Sequence, residues 1–155
     1  MREVLRRRLK QAKPLRSGEE ALLNLMIAGA WVASRLERVC ARHGVTHRQY
    51  NVLRILRGAH PGGHPRREIA GRMIDPAPDV TRLIDRLERA GLAARAPSAK
   101  DRRRSITRIS PRGLALLKRM DPEMDREGRA LVKRLTALDC LRLSTICEAL
   151  YGPGE

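Results

Sequence analysis

The chain has 155 residues, enough for one domain with a real core but not for two independent ones. Its net charge is +16 and its pI is about 11.4, so a polyanion is the expected partner. With no Phe, two Tyr and one Trp, the core has to be aliphatic, which favours helices over a β-sandwich and argues against binding single-stranded nucleic acid by base stacking.

The positive charge begins in residues 1–16, a basic arm with seven Arg or Lys against one Glu. A short helix before Pro14 and a disordered segment are both compatible with its sequence. A capping-box pattern over residues 17–20 predicts that a long helix starts there and runs to about His43. Apolar residues recur along this helix in near-heptad fashion, which is typical of a helix that packs along another long helix: Leu22, Leu25, Val32, Leu36 and Val39.

Glycines and capping residues then divide the chain into shorter helices. Gly44 ends the long helix, and Thr46 with Gln49 forms a second capping box that opens a helix to about Arg57. Residues 58–65 are dense in Gly and Pro and predict a loop. A helix, the turn of a helix-turn-helix and a second helix are predicted to follow over residues 66–73, 75–78 and 80–90.

The segment from residue 80 to residue 107 is the most informative part of the chain. Four apolar residues form one stripe of a short helix: Val80, Leu83, Ile84 and Leu87. Gly91 ends that helix, and two extended segments, 92–95 and 105–109, then flank a strongly basic tip. Helix, glycine, hairpin and cationic tip together predict a winged helix-turn-helix. The helix can enter a major groove of DNA, and the hairpin can reach the adjacent minor groove.

Two helices are predicted after the hairpin. Ser110 and Pro111 supply the N-cap and first turn of a helix to about Leu135, with a kink or a restart expected at Pro122. Thr136 caps the last helix, which ends near residue 150.

The predicted organisation is therefore a basic arm over 1–16 and a single domain over 17–155. Within that domain, residues 45–110 form a winged lobe. The helices over 17–43 and 111–150 carry more apolar surface than a domain of this size can cover, so we expect them to form a dimer interface.

Several of these motifs resemble those of the MarR family of transcriptional regulators. The matching segments are Leu87-Glu88-Arg89-Ala90-Gly91-Leu92, Arg95, Asp101-Arg102-Arg103 and Ile109-Ser110-Pro111-Arg112-Gly113, with Gln49-Tyr50-Asn51-Val52-Leu53 and Glu68-Ile69-Ala70 upstream. The resemblance spans roughly residues 19 to 150. It implies a mainly α fold with a small β-wing and a two-fold dimer through the N- and C-terminal helices. It also implies a repressor that binds pseudo-palindromic double-stranded DNA and is released by an effector.

The recognition helix carries the candidate base contacts. Arg82 is the best of them, because a guanidinium can pair with O6 and N7 of guanine, and Thr81 can bond to a base or a phosphate. Arg86 and Arg89 lie further along and are expected to meet phosphates. The alternative is an ion-pair ladder along the helix surface, Arg82 with Asp85 and Asp85 with Arg89.

The start of that helix departs from the family pattern. Pro76 and Pro78 stand where many members of the family carry Ser or Thr, whose hydroxyls commonly touch DNA. Asp79 follows, and its charge near the groove would repel phosphate, although an Asp there also caps the helix favourably. The resemblance therefore leaves the bases that are read undetermined.

The wing carries the second group of candidate contacts. By the resemblance, Arg103 enters the minor groove, where narrow A·T-rich tracts attract arginine, and Asp101 holds the wing arginines in place. Lys100, Arg102 and Arg104 add phosphate contacts. A solvated basic loop is the alternative.

For an effector, the resemblance implies a pocket between the dimer helices and the winged lobe. Trp31, with Arg35 one turn on, is the candidate wall of such a pocket, and a buried space-filling role for Trp31 is the alternative. No metal site, cofactor or catalytic group is predicted. His43, His47, His60 and His64 lack a carboxylate or Cys at ligand spacing.

The three cysteines, Cys40, Cys140 and Cys147, show no disulfide-like spacing and agree with a reducing compartment, so whether any senses oxidation stays open. No apolar run approaches the length that spans a bilayer, and the basic N-terminus lacks the features of a signal peptide. The protein is therefore expected in the cytoplasm. Two other functions also remain open: a winged-helix module for protein–protein contact, and a nucleoid binder without sequence preference.

Overall fold

The computed structural model describes residues 2–10, 15–75, 79–97 and 105–152. The elements in these ranges are α1 (Arg2–Leu9), α2 (Ser17–Arg42), α3 (His47–Gly58), β1 (His64–Pro65), α4 (Arg66–Gly71), α5 (Val80–Arg89), β2 (Ala93–Pro97), β3 (Ser105–Ile109), α6 (Pro111–Val132) and α7 (Ala137–Tyr151). The fold is mainly helical with one small antiparallel sheet, as predicted. No helix in these ranges is both long and apolar enough to cross a membrane.

The helix starts lie within one residue of the predicted positions. Ser17, the expected cap of α2, is instead its first residue, because Arg16 is the N-cap and the Glu19 carboxylate accepts the Arg16 N–H at 3.2 Å. Before α3, the Thr46 hydroxyl accepts the Gln49 N–H at 3.2 Å, and the Gln49 side chain accepts the Thr46 N–H at 2.9 Å. These bonds satisfy N–H groups that a helix terminus otherwise leaves unpaired.

The sheet has the strand order β1-β3-β2, with both pairs antiparallel. The hairpin of β2 and β3 is the predicted wing, and in its register Ala93 pairs with Ile109 and Pro97 with Ser105. Strand β1 was not predicted, because His64 and Pro65 lie in a stretch dense in breakers. It forms because Gly63, at φ +78°, brings the loop against β3, where a Cβ at Gly63 would lie 2.4 Å from the Thr107 carbonyl oxygen.

The wing joins α6 without a linker. Ser110 caps α6 by accepting the Gly113 N–H at 3.0 Å, and its hydroxyl also donates to the Gly91 carbonyl at 2.7 Å. Gly113 lies so close to the segment between α5 and β2 that a Cβ there would be 2.3 Å from the Leu92 carbonyl oxygen. The first turn of α6 is therefore packed directly against the residues that follow the recognition helix.

The core lies inside the winged lobe and is aliphatic, as the composition requires. Its largest fully buried side chains come from α3, α4, α5 and the first half of α6: Leu53, Leu56, Ile69, Ile84, Leu87, Leu117 and Met120. Helix α2 packs against α6 and α3, and only its last turns reach this core, at Val39 and Cys40.

Outside the lobe, the helices present apolar side chains to solvent. No residue of α7 is buried, and Leu22 and Met26 of α2 are exposed.

Two predictions about the helices need correction or completion. Helix α6 does not restart at Pro122 but continues through it to Val132, since its preceding turns are held in the core by Leu117 and Met120. The basic arm, whose order was left open, contains helix α1.

Candidate DNA-binding surface

Helix α5 has one buried face and one cationic face. Val80, Ile84 and Leu87 are packed in the core, which fixes the rotation of the helix about its axis. That rotation leaves the sequence-predicted contact residues exposed: Thr81, Arg82, Arg86 and Arg89. Among the described residues, no carboxylate is paired with Arg86 or Arg89, so both charges are available to a phosphate backbone.

The start of α5 is organised by Asp79. Its Oδ1 accepts the Arg82 backbone N–H at 3.0 Å, and its Oδ2 lies 2.8 Å from Arg82 Nε. The ion pair of Arg82 is therefore with Asp79 and not, as in the predicted ladder, with Asp85. The reason is local: an N-cap carboxylate already faces the first turn, so it lies nearer to this arginine than a residue further along the helix.

Asp85 and Glu88 instead hold the wing. Arg95 of β2 donates its backbone N–H to Glu88 Oε1 at 2.7 Å and its Nη1 to Glu88 Oε2 at 2.7 Å. Its Nη2 lies 2.6 Å from Asp85 Oδ1. Of the predicted ladder, Arg89 keeps only a long bond of 3.4 Å from Nε to the Asp85 backbone carbonyl. The recognition helix and the wing are thus joined by Arg95, which belongs to the family motif but to which the sequence analysis assigned no role.

The predicted wing contacts lie outside the described residues. These are Lys100, Asp101, Arg102, Arg103 and Arg104, between strands β2 and β3. Their assigned roles stay predictions, as does the part played by Pro76 and Pro78, which also lie outside the described ranges.

The segment that leads to the helix-turn-helix turn is held from α3. Asn51 is buried, and its Oδ1 accepts the Ile74 N–H at 3.0 Å. Arg48 donates to Asp75 Oδ2 from Nε and Nη2, at 2.8 and 2.6 Å. The sequence offered one signal for this role, because Asn51 is a polar residue among the apolar residues of a core helix.

A pocket of about 500 Å³ borders the recognition helix on its α2 side. It is lined by residues of α2, the N-terminus of α3, the segment before α5 and α5 itself: Ala33, Ser34, Glu37, Thr46, His47, Arg48, Asp75, Leu83 and Arg86. The predicted pocket residues lie elsewhere. Arg35 is paired with Glu127 of α6 and lies 5.7 Å over the ring of Trp31, whose side chain is half exposed. Neither of them lines this pocket.

The cysteines differ in their environments. Cys40 is fully buried, and this burial, with the nearby Glu37 charge, raises the pKa of its thiol to about 11. Cys140 and Cys147 lie partly exposed on α7. In the described part of the chain, no three His, Cys, Asp or Glu side chains are grouped so that they could hold a metal ion.

Comparison with known proteins agrees with this geometry. The model of the MarR family matches residues 43–104, which include the helix-turn-helix segment and reach into the wing. A solved MarR transcription factor from Planctomyces limnophilus is 31% identical, with a TM-score of 0.67, and the match covers 90% of this chain and 99% of that one. The chain belongs to the MarR family. It is a DNA-binding transcriptional regulator with the winged helix-turn-helix fold of that family.

More distant relatives extend the comparison. The homoprotocatechuate degradative operon repressor of Escherichia coli is 26% identical over 117 residues, 76% of this chain and 78% of the repressor. The BpsR protein of Bordetella bronchiseptica, whose structure is described as a mechanism for regulation of DNA binding by 6-hydroxynicotinic acid, has a TM-score of 0.78 at 21% identity. That match covers 92% of this chain and all of BpsR, and at this identity it shows the shared fold.

Proposed function

We propose that this MarR regulator is a repressor that binds a pseudo-palindromic operator as a homodimer and reads bases with α5. The observation that carries the proposal is the exposed cationic face of α5, whose opposite face is fixed in the core. Thr81 and Arg82, near the N-terminus of the helix, are the proposed base contacts. Arg86 and Arg89 are the proposed phosphate contacts.

The wing supplies the second half of the proposed interface. Arg103 is assigned to the minor groove, with Asp101 orienting the wing arginines, and Lys100, Arg102 and Arg104 are assigned to phosphates. Support comes from the strands that carry these residues, because β2 is bonded to α5 through Arg95. A wing held to the recognition helix can approach the groove next to the one that the helix occupies.

A second copy of the chain is the proposed partner of α2 and α7. These helices border an apolar groove of about 590 Å³ with almost no polar lining. The residues that line it include Leu22, Leu25, Leu143, Ile146 and Leu150. Leu138 and Leu141 of α7 are also exposed. Apolar surface of this extent on terminal helices is typical of a homodimer interface.

Effector release is proposed to act at the pocket beside α5. Its walls include both Leu83 and Arg86 of the recognition helix and residues of α2, so an occupant would alter how these helices lie against each other. DNA binding by BpsR is described as regulated by 6-hydroxynicotinic acid, a small aromatic acid. Arg86, which lines the pocket and is paired with no carboxylate among the described residues, is suited to bind a carboxylate. Trp31 and Arg35, on another face of α2, are the alternative effector contact.

The proposal contains no catalytic step, since a regulator of this kind acts by binding. It places the protein in the cytoplasm, where it can reach chromosomal DNA. Interaction with another protein and nonspecific DNA coating are the alternatives that an experiment has to distinguish.

A duplex selected by the protein from a randomised library, and a scrambled duplex of the same composition, provide that experiment. The selected sequence should contain two half-sites about 10 bp apart, because a two-fold dimer presents two recognition helices. Affinity should fall steeply with salt. Absence of DNA binding would support the protein-contact alternative, and equal affinity for both duplexes would support the nonspecific binder.

Three variants distinguish side chains that recognise bases from side chains that bind any DNA duplex. Arg82→Ala should cost about 1–3 kcal/mol on the selected duplex and less on the scrambled one. Arg103→Ala should weaken binding mainly to sites with A·T-rich flanks. Lys100→Ala should lower affinity on both duplexes alike and reduce the salt slope by about one. If all three substitutions lower the affinity for both duplexes by the same factor, α5 does not read bases.

A further inference from the structure

We propose that Asp79 is a positioning residue that presents Arg82 to a base pair, an inference that rests on the function proposed above. An acidic residue at the start of a recognition helix is otherwise unfavourable for DNA binding, because it faces phosphates. The structure gives this carboxylate a use that accounts for its place in the chain.

The two oxygens of Asp79 bind two different groups of the same arginine. Oδ1 accepts the backbone N–H of Arg82 at 3.0 Å, and Oδ2 lies 2.8 Å from Nε of its guanidinium. The backbone bond places the carboxylate at the first turn of α5. The bond to Nε then restricts a long side chain that, at 80% exposure, has little else to hold it.

Use of Nε leaves the other edge of the guanidinium free. A guanidinium carries five N–H donors, and the two terminal nitrogens form a fork of their own. Among the described residues, Asp79 is the one carboxylate paired with Arg82. The free fork has the geometry that matches O6 and N7 of guanine, so the pair is suited to present a bidentate donor to a G·C base pair.

The pair also neutralises the charge of Asp79. Arg86, one turn further along the exposed face, adds a positive charge, and Asp75, the nearest described carboxylate before Asp79 in the chain, is itself paired with Arg48. Fixing Arg82 before DNA arrives reduces the side-chain ordering that binding requires. The expected effect is thus on preference among sequences rather than on affinity for DNA in general.

A double-mutant cycle tests this inference. Asp79→Asn keeps a good N-cap and removes the charge, so folding should be preserved, and a thermal melt equal to that of the wild type checks this. Fluorescence anisotropy would measure wild type, Asp79→Asn, Arg82→Ala and the double variant on the selected and scrambled duplexes. Arg82→Ala should reduce the preference for the selected duplex by roughly 5- to 150-fold. Asp79→Asn should reduce it by about 2- to 10-fold. The double variant should equal Arg82→Ala.

Glu68→Gln is the matched control. It removes a carboxylate of the same lobe that is paired with Arg72 rather than with Arg82. It should change the affinity for both duplexes by the same small factor. If Asp79→Asn raises affinity equally on both duplexes, with or without Arg82, then Asp79 only repels phosphate and the inference is wrong.

Two further results overturn the inference and leave DNA binding by the dimer intact. One is an unchanged preference in Asp79→Asn, which would make Asp79 a cap and nothing more. The other is an unchanged preference in Arg82→Ala. A wild-type protein without preference for the selected duplex would instead overturn the proposed sequence-specific function, and this inference with it.

Discussion

Arg95 of the wing and Glu88 of the recognition helix are joined by two hydrogen bonds, from the Arg95 backbone N–H and from its Nη1, each 2.7 Å long. The same guanidinium reaches Asp85 one turn earlier, at 2.6 Å from Nη2. Helix and wing therefore share a connection that leaves each surface free for DNA. Because the side chains are partly exposed, its value lies more in orientation than in stability.

Replacing Arg95 should uncouple the wing from α5. Arg95→Ala is expected to lower stability by at most about 1 kcal/mol, since ion pairs this exposed contribute little. It should lower affinity for DNA by more than the loss of one distant charge would. In an Arg103→Ala background, Arg95→Ala should have little further effect on A·T-flanked sites, because the wing contact is already lost. Additive losses in the double variant would contradict this coupling.

Dimerisation should depend on the apolar groove between α2 and α7. Ile146→Asp places a charge among Leu22, Leu143 and Leu150, and burying an unpaired carboxylate there is costly. The variant should sediment as a monomer at concentrations where the wild type is a dimer. Ile74→Asp, which changes an equally apolar side chain that is 77% exposed outside the groove, should leave the oligomeric state unchanged. A dimeric Ile146→Asp protein would place the interface elsewhere.

Cys40 should be chemically inert in the folded protein. Its thiol is fully buried and has a pKa raised to about 11, so at pH 8 roughly one molecule in a thousand carries the reactive thiolate. Timed alkylation followed by mass spectrometry should label Cys140 before Cys40, and Cys40 should react only under denaturing conditions. Early labelling of Cys40 would show that the junction of α2 with the lobe opens readily.

The contacts between α2 and α6 should fail in acid. The pKa of Glu127 is lowered by the Arg35 guanidinium, and that of Glu123 is lowered mainly by Arg42, from an ordinary value of 4.5. A carboxylate with a depressed folded-state pKa contributes stability above its unfolded pKa, and that contribution is lost as the pH falls through the folded-state value.

Between about pH 6 and pH 3, the Tm of the wild type should therefore fall further than the Tm of Glu127→Gln. Glu148→Gln, on α7 away from these pairs, should follow the wild type. Equal pH profiles for wild type and Glu127→Gln would show that the pair with Arg35 does not support the folded state.

Local chemistry explains which elements the sequence could predict. Thr46, Ser110 and Thr136 each cap the helix that they were expected to begin, and Gly91 adopts a φ of +68° where the recognition helix ends. These signals act over a few residues, so they can be read without knowing the fold. The family motifs also made the wing predictable, because the motifs follow each other along the chain in a fixed order.

Contacts between distant segments could not be predicted in this way. Strand β1 exists because β3 lies beside it, and Asn51 is needed because the segment before α5 passes over α3. Arg82 had two acidic neighbours within four residues, and only the backbone at the helix start decides in favour of Asp79. The position of the proposed effector pocket likewise depends on how α2 lies against the lobe.

Because the wing joins α6 directly, a rotation of α6 also moves the winged lobe. Gly113 lies against Leu92, just after the recognition helix, and α6 extends from there to Val132 and has 22 residues, which is about 33 Å. A rotation of only about 6° at the far end of a helix of this length displaces the near end by about 3.4 Å, the rise of one base pair. In a two-fold dimer both lobes would move together. A small change in the angle at which α2 crosses α6 can leave the inside of each lobe unchanged. Such a change is nevertheless sufficient to move both recognition helices out of register with the DNA.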